Sequence, residues 1–177
     1  MAADIARFGE DRNVVYERRE GIGGVARCCK LWEAQGIDTM QTVGHIIRLF
    51  RDSGANTVIV DDAGVGGGVV DRLREESIPV VAFNFGGKAR EPDKFANAGT
   101  EAWYNLRTMM EKGRLALAHD PVVMGQLSSR KYRLQSDARL ISESKDDMKK
   151  RGLKSPDHAD ALAMVCSMTG SFAISFV

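Results

Sequence analysis

Residues 57–68 read Thr-Val-Ile-Val-Asp-Asp-Ala-Gly-Val-Gly-Gly-Gly, and this stretch decides the fold. Its apolar run ends in Asp61, which is typical of a strand buried on both faces of a parallel or mixed sheet. The glycines after it turn the chain into an apolar helix, and residues 78–83 predict the next strand. Strand, helix and strand in this order predict an α/β fold.

The residues before this stretch extend the sheet. Residues 3–8 and 13–18 predict two strands joined by a polar hairpin turn, and residues 25–32 predict a third strand. Asp38 or Thr39 can cap a helix in which apolar residues recur at steps of three and four positions. The N-terminal third therefore supplies a hairpin, a further strand and an amphipathic helix.

The residues after residue 83 predict a more varied half. A polar loop is expected at residues 86–96, then a helix from Ala98 that is closed by Gly113. Residues 115–118 predict a short strand, and residues 121–127 are interpreted as an ambiguous apolar turn. The remaining segments are a hairpin (residues 130–135 against 139–142), a charged stretch (residues 143–154) and a final helix (residues 156–168).

The composition sets bounds on the function. With 177 residues the chain fits one domain, residues 1–177. Hydrophobic residues make up 44% and charged residues 28%, which indicates a folded protein and argues against wholesale disorder. The net charge is only +1, so a DNA-binding surface needs local clusters of Lys and Arg. The chain begins almost on its first predicted strand, and we expect another domain to precede it in a longer protein.

Cysteine usage and hydropathy bear on the compartment. Cys28, Cys29 and Cys166 form neither a CxxC motif nor a zinc-finger spacing with histidine, so we expect reduced, structural cysteines. No apolar run reaches the roughly 18 residues that a membrane-spanning helix needs, and no secretory leader opens the chain. We therefore expect a soluble, intracellular protein without a membrane partner.

Three aspartates far apart in the sequence carry the functional prediction. Asp4 lies in the first predicted strand beside small residues, Asp61 ends a buried strand, and Asp160 enters a helix that is apolar almost all round. Folding could gather them into one oxygen-rich site, and hard cations such as Mg²⁺ prefer oxygen ligands. Phosphodiester cleavage by two metals needs such carboxylates to hold ions about 3.5–4 Å apart. The pattern predicts a metal-dependent nuclease.

Structural interpretations of the acidic residues remain open. Asp4 could be an exposed acid on an edge strand, and Asp62 is better explained as a turn or capping residue. Asp157 stands three residues before Asp160, where helix capping and the helix dipole account for it. His158 neighbours the acids and could assist a metal or a water, but we expect an exposed residue at the start of the helix.

Three segments resemble the nuclease domain of the large terminase subunit, the DNA-packaging motor of tailed bacteriophages. The first begins at Asp4 and reads Asp-Ile-Ala-Arg-Phe-Gly-Glu-Asp-Arg. The second begins at Val60 and reads Val-Asp-Asp-Ala-Gly-Val-Gly-Gly-Gly-Val-Val-Asp-Arg-Leu. The third begins at Ser142 and reads Ser-Glu-Ser-Lys-Asp-Asp-Met-Lys-Lys-Arg-Gly-Leu-Lys-Ser-Pro-Asp-His-Ala-Asp-Ala-Leu. Together they span nearly the whole chain in the family's order.

The resemblance implies an RNase H-like fold, in which helices flank a central mixed β-sheet. It also implies an endonuclease that uses two Mg²⁺ or Mn²⁺ ions to cut concatemeric viral double-stranded DNA. By position, Asp4, Asp61 and Asp160 correspond to its catalytic, metal-binding triad. Asp157 falls where some relatives carry a further acidic or histidine residue near the metals. The resemblance also implies an N-terminal ATPase domain, the portal and the small terminase subunit as partners, on the procapsid in the host cytoplasm. The chain contains no GxxxxGK(S/T) phosphate loop, so ATP-driven translocation is not expected of it alone.

Basic residues near the acidic helix are candidates for DNA contacts. Such contacts to phosphates position a duplex without reading its sequence, so we expect low sequence specificity. The alternative is a solvated charged face, because Asp and Glu are interleaved with them. The candidates are Lys145, Lys149, Lys150 and Arg151 before the helix, and Arg130 and Lys131 at the preceding hairpin.

A dinucleotide-binding module is the rival from a different class of protein, because the glycines after Asp61 follow a strand and open a helix. Its GxGxxG fingerprint fails, since Val69 stands where the third glycine belongs. Another RNase H-like enzyme, such as a junction resolvase or a transposase, would share the acidic site. A docking domain for the portal or the small subunit is compatible with catalysis.

Overall fold

The computed structural model describes residues 1–6 and 11–167. Residues 7–10 and 168, which belong to the predicted first strand, hairpin turn and last helix, lie outside the described part. The strands within it are β1 (Ala2–Asp4), β2 (Asn13–Glu20), β3 (Ala26–Ala34), β4 (Val58–Asp61), β5 (Val80–Phe83), β6 (Leu115–Leu117), β7 (Tyr132–Leu134) and β8 (Leu140–Ser142). The α-helices are α1 (Thr39–Ser53), α2 (Gly66–Glu75), α3 (Ala98–Glu111), α4 (Pro121–Ser129), α5 (Lys145–Lys150) and α6 (Asp157–Ser167).

Six strands form a mixed sheet in the order β5-β4-β1-β2-β3-β6. Strands β1, β2 and β3 pair antiparallel in succession, whereas β4 runs parallel to β1 and β5 runs parallel to β4. Strand β6 pairs parallel with β3 at the far edge, and β7 and β8 form a separate hairpin. The predicted central mixed sheet flanked by helices is confirmed.

Local signals in the sequence set the bounds of α1. Asp38 accepts a hydrogen bond from the backbone N–H of Gln41 at 2.8 Å, and the Gln41 side chain accepts one from the Asp38 N–H. This reciprocal capping box satisfies two N–H groups that the first turn of a helix leaves unpaired. Gly54 ends the helix with a φ of 69°, a left-handed conformation that glycine adopts without steric cost.

The glycine-rich turn between β4 and α2 has a packing reason. A Cβ atom on Gly66 would lie 1.6 Å from the carbonyl oxygen of Asp61, so only glycine fits this close approach. The turn thereby returns α2 against the end of β4. This backbone contact explains Gly66, and Gly64 has a left-handed φ of 59°, so neither needs a dinucleotide to account for it. The antiparallel strands at the centre of the sheet also differ from a doubly wound parallel fold.

The sheet separates two apolar layers. Helices α1 and α2 cover one face, and α3 and α6 pack together on the other, where α6 also contacts β1 and β2. Burying a large aliphatic side chain contributes about 1.5–3 kcal/mol, so both layers stabilise the sheet. The α1–α2 core includes Ala3, Val15, Ile46, Val60 and Leu73. The α3–α6 core includes Ala2, Val14, Ile59, Leu106 and Leu162.

Two segments are helical where the sequence predicts no helix. The apolar turn expected at residues 121–127 lies within α4, which Asp120 caps by accepting hydrogen bonds from two backbone N–H groups. The charged stretch contains the six-residue α5, which Ser144 caps in the same way. Both expectations were wrong because capping residues, rather than apolar periodicity, start these short helices.

The described part of the chain includes all three cysteines and the helices named above. All three cysteines are free: Cys28 and Cys166 are buried and Cys29 is exposed. Within the described residues there is no helix whose length and hydropathy suit a membrane span.

Candidate metal centre

Two candidate aspartates lie side by side at the ends of neighbouring parallel strands. Ala2 on β1 lies opposite Ile59 on β4, and continuing this register by two residues places Asp4 beside Asp61. Because side chains alternate across a strand, both carboxylates share the face of Ala2 and Ile59, which α6 covers. Asp4 is 4% exposed and Asp61 is 8% exposed. The exposed-edge interpretation of Asp4 is therefore wrong.

The third aspartate reaches this face from the first turn of α6. Asp160 is completely buried. Its Oδ1 accepts hydrogen bonds from Trp103 Nε1 at 2.7 Å and from Arg130 Nη1 at 2.9 Å. Its Oδ2 accepts no hydrogen bond from the described residues. One oxygen of Asp160 is therefore fully engaged by donors, and the other is available to the site.

A lysine from α5 joins the carboxylates. Lys145 Nζ lies 3.0 Å from Asp160 Oδ2 and 3.6 Å from Asp4 Oδ2. The Oδ2 atom of Asp4, like that of Asp160, accepts no hydrogen bond within the described part of the chain. The sequence predicts Lys145 on a DNA-contacting face, but the structure turns it toward the acids. Its ammonium offsets part of their mutual repulsion.

Burial raises the pKa of the strand-borne carboxylates. The pKa of Asp4 lies well above its usual range because the group is desolvated and faces other carboxylates, against the attraction of Lys145. Burial also raises the pKa of Asp61, against a hydrogen bond that its own turn donates. Burial lowers the pKa of Lys145, but the attraction of Asp4 and Asp160 outweighs this effect and the net shift is upward. Negative charge on these carboxylates is therefore unfavourable in the protein alone, and a multivalent cation would offset it.

Asp157 lies at the border of the site. It is 6% exposed, and its Oδ2 accepts a hydrogen bond from the backbone N–H of Arg12 at 2.8 Å. Burial raises its pKa, and its charge contributes to the raised pKa of Asp4. Helix capping alone therefore does not account for Asp157. A role for it in metal binding stays a prediction.

His158 is buried, so the expectation of an exposed residue was wrong. It is 2% exposed, with Nδ1 3.2 Å from the Tyr16 hydroxyl and Nε2 3.7 Å from Glu33 Oε2. Burial lowers its pKa. The helix start is buried because α6 is covered by β1, β2 and α3, which the local sequence of α6 does not reveal.

As the side chains stand, no three His, Cys, Asp or Glu residues among 1–6 and 11–167 are gathered closely enough to hold a metal ion. The Lys145 ammonium bridges Asp4 and Asp160, where it takes the place of a cation's charge. The donor set nevertheless fits Mg²⁺ or Mn²⁺, because it consists of carboxylate oxygens. Two of these oxygens, Asp4 Oδ2 and Asp160 Oδ2, are buried and face the Lys145 ammonium, a contact that a metal ion could replace.

No protein-family model matches the sequence, and no curated protein matches it. Solved structures do resemble the chain. The nuclease domain of the large terminase subunit of bacterial virus Sf6 is 19% identical over 96% of this chain and 87% of that chain, with a TM-score of 0.81. A variant of that domain with manganese and beta-thujaplicinol is 20% identical over the same shares, with a TM-score of 0.80. The large terminase nuclease from thermophilic phage G20c with bound magnesium is 20% identical over 94% of this chain and 78% of that chain, with a TM-score of 0.70.

The chain has the fold of the terminase nuclease domains. The predicted RNase H-like fold class is thereby confirmed, and the likeness extends over nearly the whole chain, as the three sequence segments indicated. At this identity the likeness concerns the fold. The metal-binding roles of Asp4, Asp61, Asp160 and Asp157 stay predictions, which rest on the burial and contacts given above.

The predicted DNA-binding residues fall into two groups. Arg130 and Lys145 contact Asp160 and belong to the carboxylate site, and the Arg130 side chain is only 8% exposed. The others are exposed on α5, at its end or on the β7–β8 hairpin, and three of them pair with neighbouring acids. Whether they contact DNA or form a solvated charged face stays open. These exposed residues are Lys149, Lys150, Arg151 and Lys131.

A groove with a volume of about 1320 Å³ opens beside the acids. Asp157 and His158 form part of its wall, and Lys149 and Lys154 lie on the α5 side. Acidic residues also line it, so its charge is mixed. The groove gives a polar chain access to the border of the site at Asp157. The other charged residues that line the groove include Asp11, Arg12, Lys30, Glu33 and Asp120.

The sequence does not reveal the partners of Asp160. Trp103 reads as an ordinary core residue of α3, and Arg130 reads as a surface cation of a hairpin. They lie 57 and 30 residues from Asp160 along the chain and meet it only in the folded protein. The one available signal is indirect: a carboxylate within an apolar helix requires buried donors.

Proposed function

We propose that the chain is a divalent-metal-dependent DNA endonuclease. The observation that carries the proposal is that Asp4, Asp61 and Asp160, from β1, β4 and α6, are all buried and interact electrostatically with one another. The fold supports the same assignment, because the terminase nuclease domains of Sf6 and G20c share it and have been solved with bound manganese and magnesium.

Asp4, Asp61 and Asp160 would hold two Mg²⁺ or Mn²⁺ ions, with Asp157 at the border. Bound there, the ions supply the Lewis acidity that activates a water and stabilises the leaving oxygen of the phosphodiester. The chain presents its carboxylates in a buried site, where electrostatic stabilisation is stronger than in water. Burial raises the pKa of Asp4 and Asp61, and a cation beside them would lower it again, so metal binding and proton release from these groups would be coupled.

Lys145 occupies the site when no cation is present. Its ammonium bridges Asp4 and Asp160, so a metal ion held by these two residues would displace it. Its side chain is 36% exposed, which leaves solvent-facing space into which it can turn.

The proposed substrate is concatemeric viral double-stranded DNA, cut with low sequence specificity during genome packaging. Exposed Lys149, Lys150, Arg151 and Lys131 would contact the phosphate backbone near the groove. Phosphate contacts fix the register of a protein on the duplex but carry no sequence information. Low specificity follows if these contacts dominate binding.

The proposal includes a place in a larger machine. Residues 1–177 would act as one nuclease domain of a large terminase subunit, with an N-terminal ATPase domain that drives translocation. The portal and the small terminase subunit would be the partners, on the procapsid in the host cytoplasm. The ordered sequence segments at Asp4, Val60 and Ser142 and the shared fold support this assignment.

Digestion of plasmid DNA tests the proposal. Supercoiled, linear and branched substrates are incubated with Mn²⁺, Mg²⁺ or EDTA. We expect cutting of supercoiled and linear DNA with either metal and none with EDTA. Selective cutting of branched DNA would favour a junction resolvase, and metal-free binding of NAD would favour a dinucleotide-binding module. An absence of cutting under all conditions would contradict the endonuclease.

A further inference from the structure

The two oxygens of Asp160 have different surroundings. Oδ1 accepts two hydrogen bonds, from the Trp103 indole N–H at 2.7 Å and from Arg130 Nη1 at 2.9 Å. A carboxylate oxygen offers about two lone-pair directions, so these donors fill its capacity. Oδ2 instead forms an ion pair with the Lys145 ammonium, whose Nζ lies 3.0 Å away.

Arg130 is itself fixed in place. Its Nε donates to the carbonyl oxygen of Glu143 at 2.8 Å, and its guanidinium lies over the Trp103 ring, 4.8 Å from the ring centroid. Its side chain is 8% exposed. A planar guanidinium held by a hydrogen bond, an aromatic face and an ion pair has little freedom to turn. The Trp103–Arg130 pair is therefore a rigid support behind Asp160.

The position of Asp160 Oδ2 links the Trp103–Arg130 support to the acidic cluster. Lys145 Nζ, which contacts Asp160 Oδ2, also lies 3.6 Å from Asp4 Oδ2. The open side of Asp160 thus faces Asp4, and its engaged side faces Trp103 and Arg130. If either donor were lost, the carboxylate could rotate and present both oxygens, or neither, to the site.

We propose that Trp103 and Arg130 are positioning residues that hold Asp160 as a one-oxygen ligand, with Oδ2 directed at the metal and Oδ1 withheld from it. This inference rests on the proposed metal-dependent nuclease. Neither residue touches the metal or the DNA in this role. Both act on cleavage through the orientation of Asp160.

Conservative variants separate positioning from packing. Trp103→Phe keeps an aromatic ring and removes the indole donor, and Arg130→Lys keeps the charge and removes the fork that bonds both Asp160 and Glu143. Two residues of α3, the helix that contains Trp103, provide controls. Tyr104→Phe removes a polar group from an aromatic ring, and Arg107→Lys alters an exposed arginine. Thermal unfolding without metal establishes that each variant is folded.

The main readout is Mn²⁺ affinity by isothermal titration calorimetry, which does not require cleavage. We expect Trp103→Phe and Arg130→Lys to weaken Mn²⁺ binding about 10- to 100-fold, as for other residues that orient metal ligands. Cleavage should recover at high Mn²⁺, with the KM for DNA unchanged, which a loss of DNA binding would not produce. The controls should bind Mn²⁺ like the wild type. Wild-type affinity in both folded variants would overturn the proposal.

The wild-type protein offers a second test that no folding defect can obscure. Nuclear magnetic resonance follows hydrogen exchange at the indole N–H of Trp103 while Mg²⁺ is added, with Trp32 as the internal reference. We expect the Trp103 proton to stay protected when Mg²⁺ binds, because Oδ1 keeps its donors. Loss of that protection on Mg²⁺ binding would overturn the proposal.

The outcomes distinguish this inference from the proposed function. If wild-type protein binds no Mn²⁺ and cuts no DNA, the nuclease assignment fails and the positioning role fails with it. If the wild type binds Mn²⁺ and cuts DNA while both folded variants match it in affinity, only the positioning role is overturned. Weakened Mn²⁺ binding in the variants, with unchanged controls, supports both.

Discussion

The two faces of the sheet contain different kinds of core. On the α1–α2 face the core is a continuous apolar cluster around Ile46, Val60 and Leu73. On the α3–α6 face an apolar cluster of similar extent surrounds buried acids, including Asp4 and Asp160. Both faces share the same strands, so the difference arises from alternate side chains along β1 and β4 and from the helices that cover them.

The difference shows which face serves stability alone. Removing carboxylates from water and placing them beside one another is unfavourable, and a pKa raised by burial, as in Asp4 and Asp61, expresses this cost. Nothing of this kind is needed to hold α6 against β1, because alanine and leucine do so at the adjoining positions. The acids on the α3–α6 face are therefore best explained by a ligand that offsets their charge.

Removal of one acid should have the largest effect and should separate the two faces most clearly. Asp61→Asn deletes a charge from the site and leaves the α1–α2 core intact. The metal contributes several kcal/mol to the transition state, and each 1.4 kcal/mol is about tenfold in rate, so we expect cleavage to fall at least about 10³-fold. Plasmid digestion with Mn²⁺ measures the loss.

The neighbouring Asp62→Asn is the matched control, since Asp62 is partly exposed in the turn after β4. It should cut at the wild-type rate. Full activity in Asp61→Asn, with its circular dichroism and melting temperature unchanged, would remove Asp61 from the site.

Cavities made in the two cores should have equal effects on stability but different effects on metal binding. Ile46→Ala and Leu162→Ala each empty a fully buried position, and we expect each to lower the free energy of unfolding by about 2–5 kcal/mol. Only Leu162→Ala should also weaken Mn²⁺ binding, because α6 carries Asp160. Urea denaturation and calorimetric titration measure the two effects. Equal weakening of Mn²⁺ binding by Ile46→Ala would show that the faces are not independent.

Loss of Lys145 should destabilise the metal-free protein and make it more responsive to cations. Lys145→Ala leaves the carboxylates of Asp4 and Asp160 without their counter-charge, which we expect to cost about 1–3 kcal/mol. Added Mn²⁺ should then raise the melting temperature more in Lys145→Ala than in the wild type. Lys149, on the same helix, pairs with Asp11 instead of the buried acids. The control variant Lys149→Ala should therefore respond to Mn²⁺ like the wild type. A smaller Mn²⁺ response in Lys145→Ala would contradict the exchange of lysine for a cation.

The smallest effect should be a pH dependence that Asp4 contributes in the absence of metal. Burial raises the pKa of Asp4 above its ordinary value of 3.8, so between these two values the folded state binds a proton that the unfolded state has lost. Stability from this group is therefore lost as the pH rises through that window. In Asp4→Asn the group cannot ionise. We expect the variant to be more stable than the wild type at pH 8 and the difference to vanish as the pH falls toward 3.8.

Denaturation of both proteins across this pH range measures the difference. His158, whose pKa burial lowers, contributes an opposite slope, but it is present in both proteins and cancels from the comparison. A difference that stays constant with pH would contradict the raised pKa of Asp4.

The sequence predicted those parts of the fold that local signals determine. The strand β4, the capped and amphipathic α1, and the carboxylates at Asp4, Asp61 and Asp160 all follow from alternation, periodicity and charge placed in apolar surroundings. The resemblance implied a mixed sheet, and the order of its strands is known only from the structure. Residues 121–129 and 145–150 were misjudged because both helices are short and have no long apolar stripe.

The geometry of the site depends on contacts that no local pattern encodes. Lys145 turns inward because Asp4 and Asp160 lie above it, whereas in the sequence it looks like any cation of a charged stretch. Trp103, Arg130 and the burial of His158 likewise follow from the packing of α3, α6 and β2. The sequence thus predicts candidate carboxylates, and tertiary structure determines their burial, their partners and their orientation.

The most direct test of the central claim is anomalous diffraction from a crystal of the protein grown or soaked with Mn²⁺. The account predicts manganese peaks within coordination distance of Asp4, Asp61 and Asp160 together, with the Lys145 ammonium displaced from between them. Manganese bound elsewhere, or a site that omits one of the three carboxylates while Lys145 keeps its ion pairs, would contradict it.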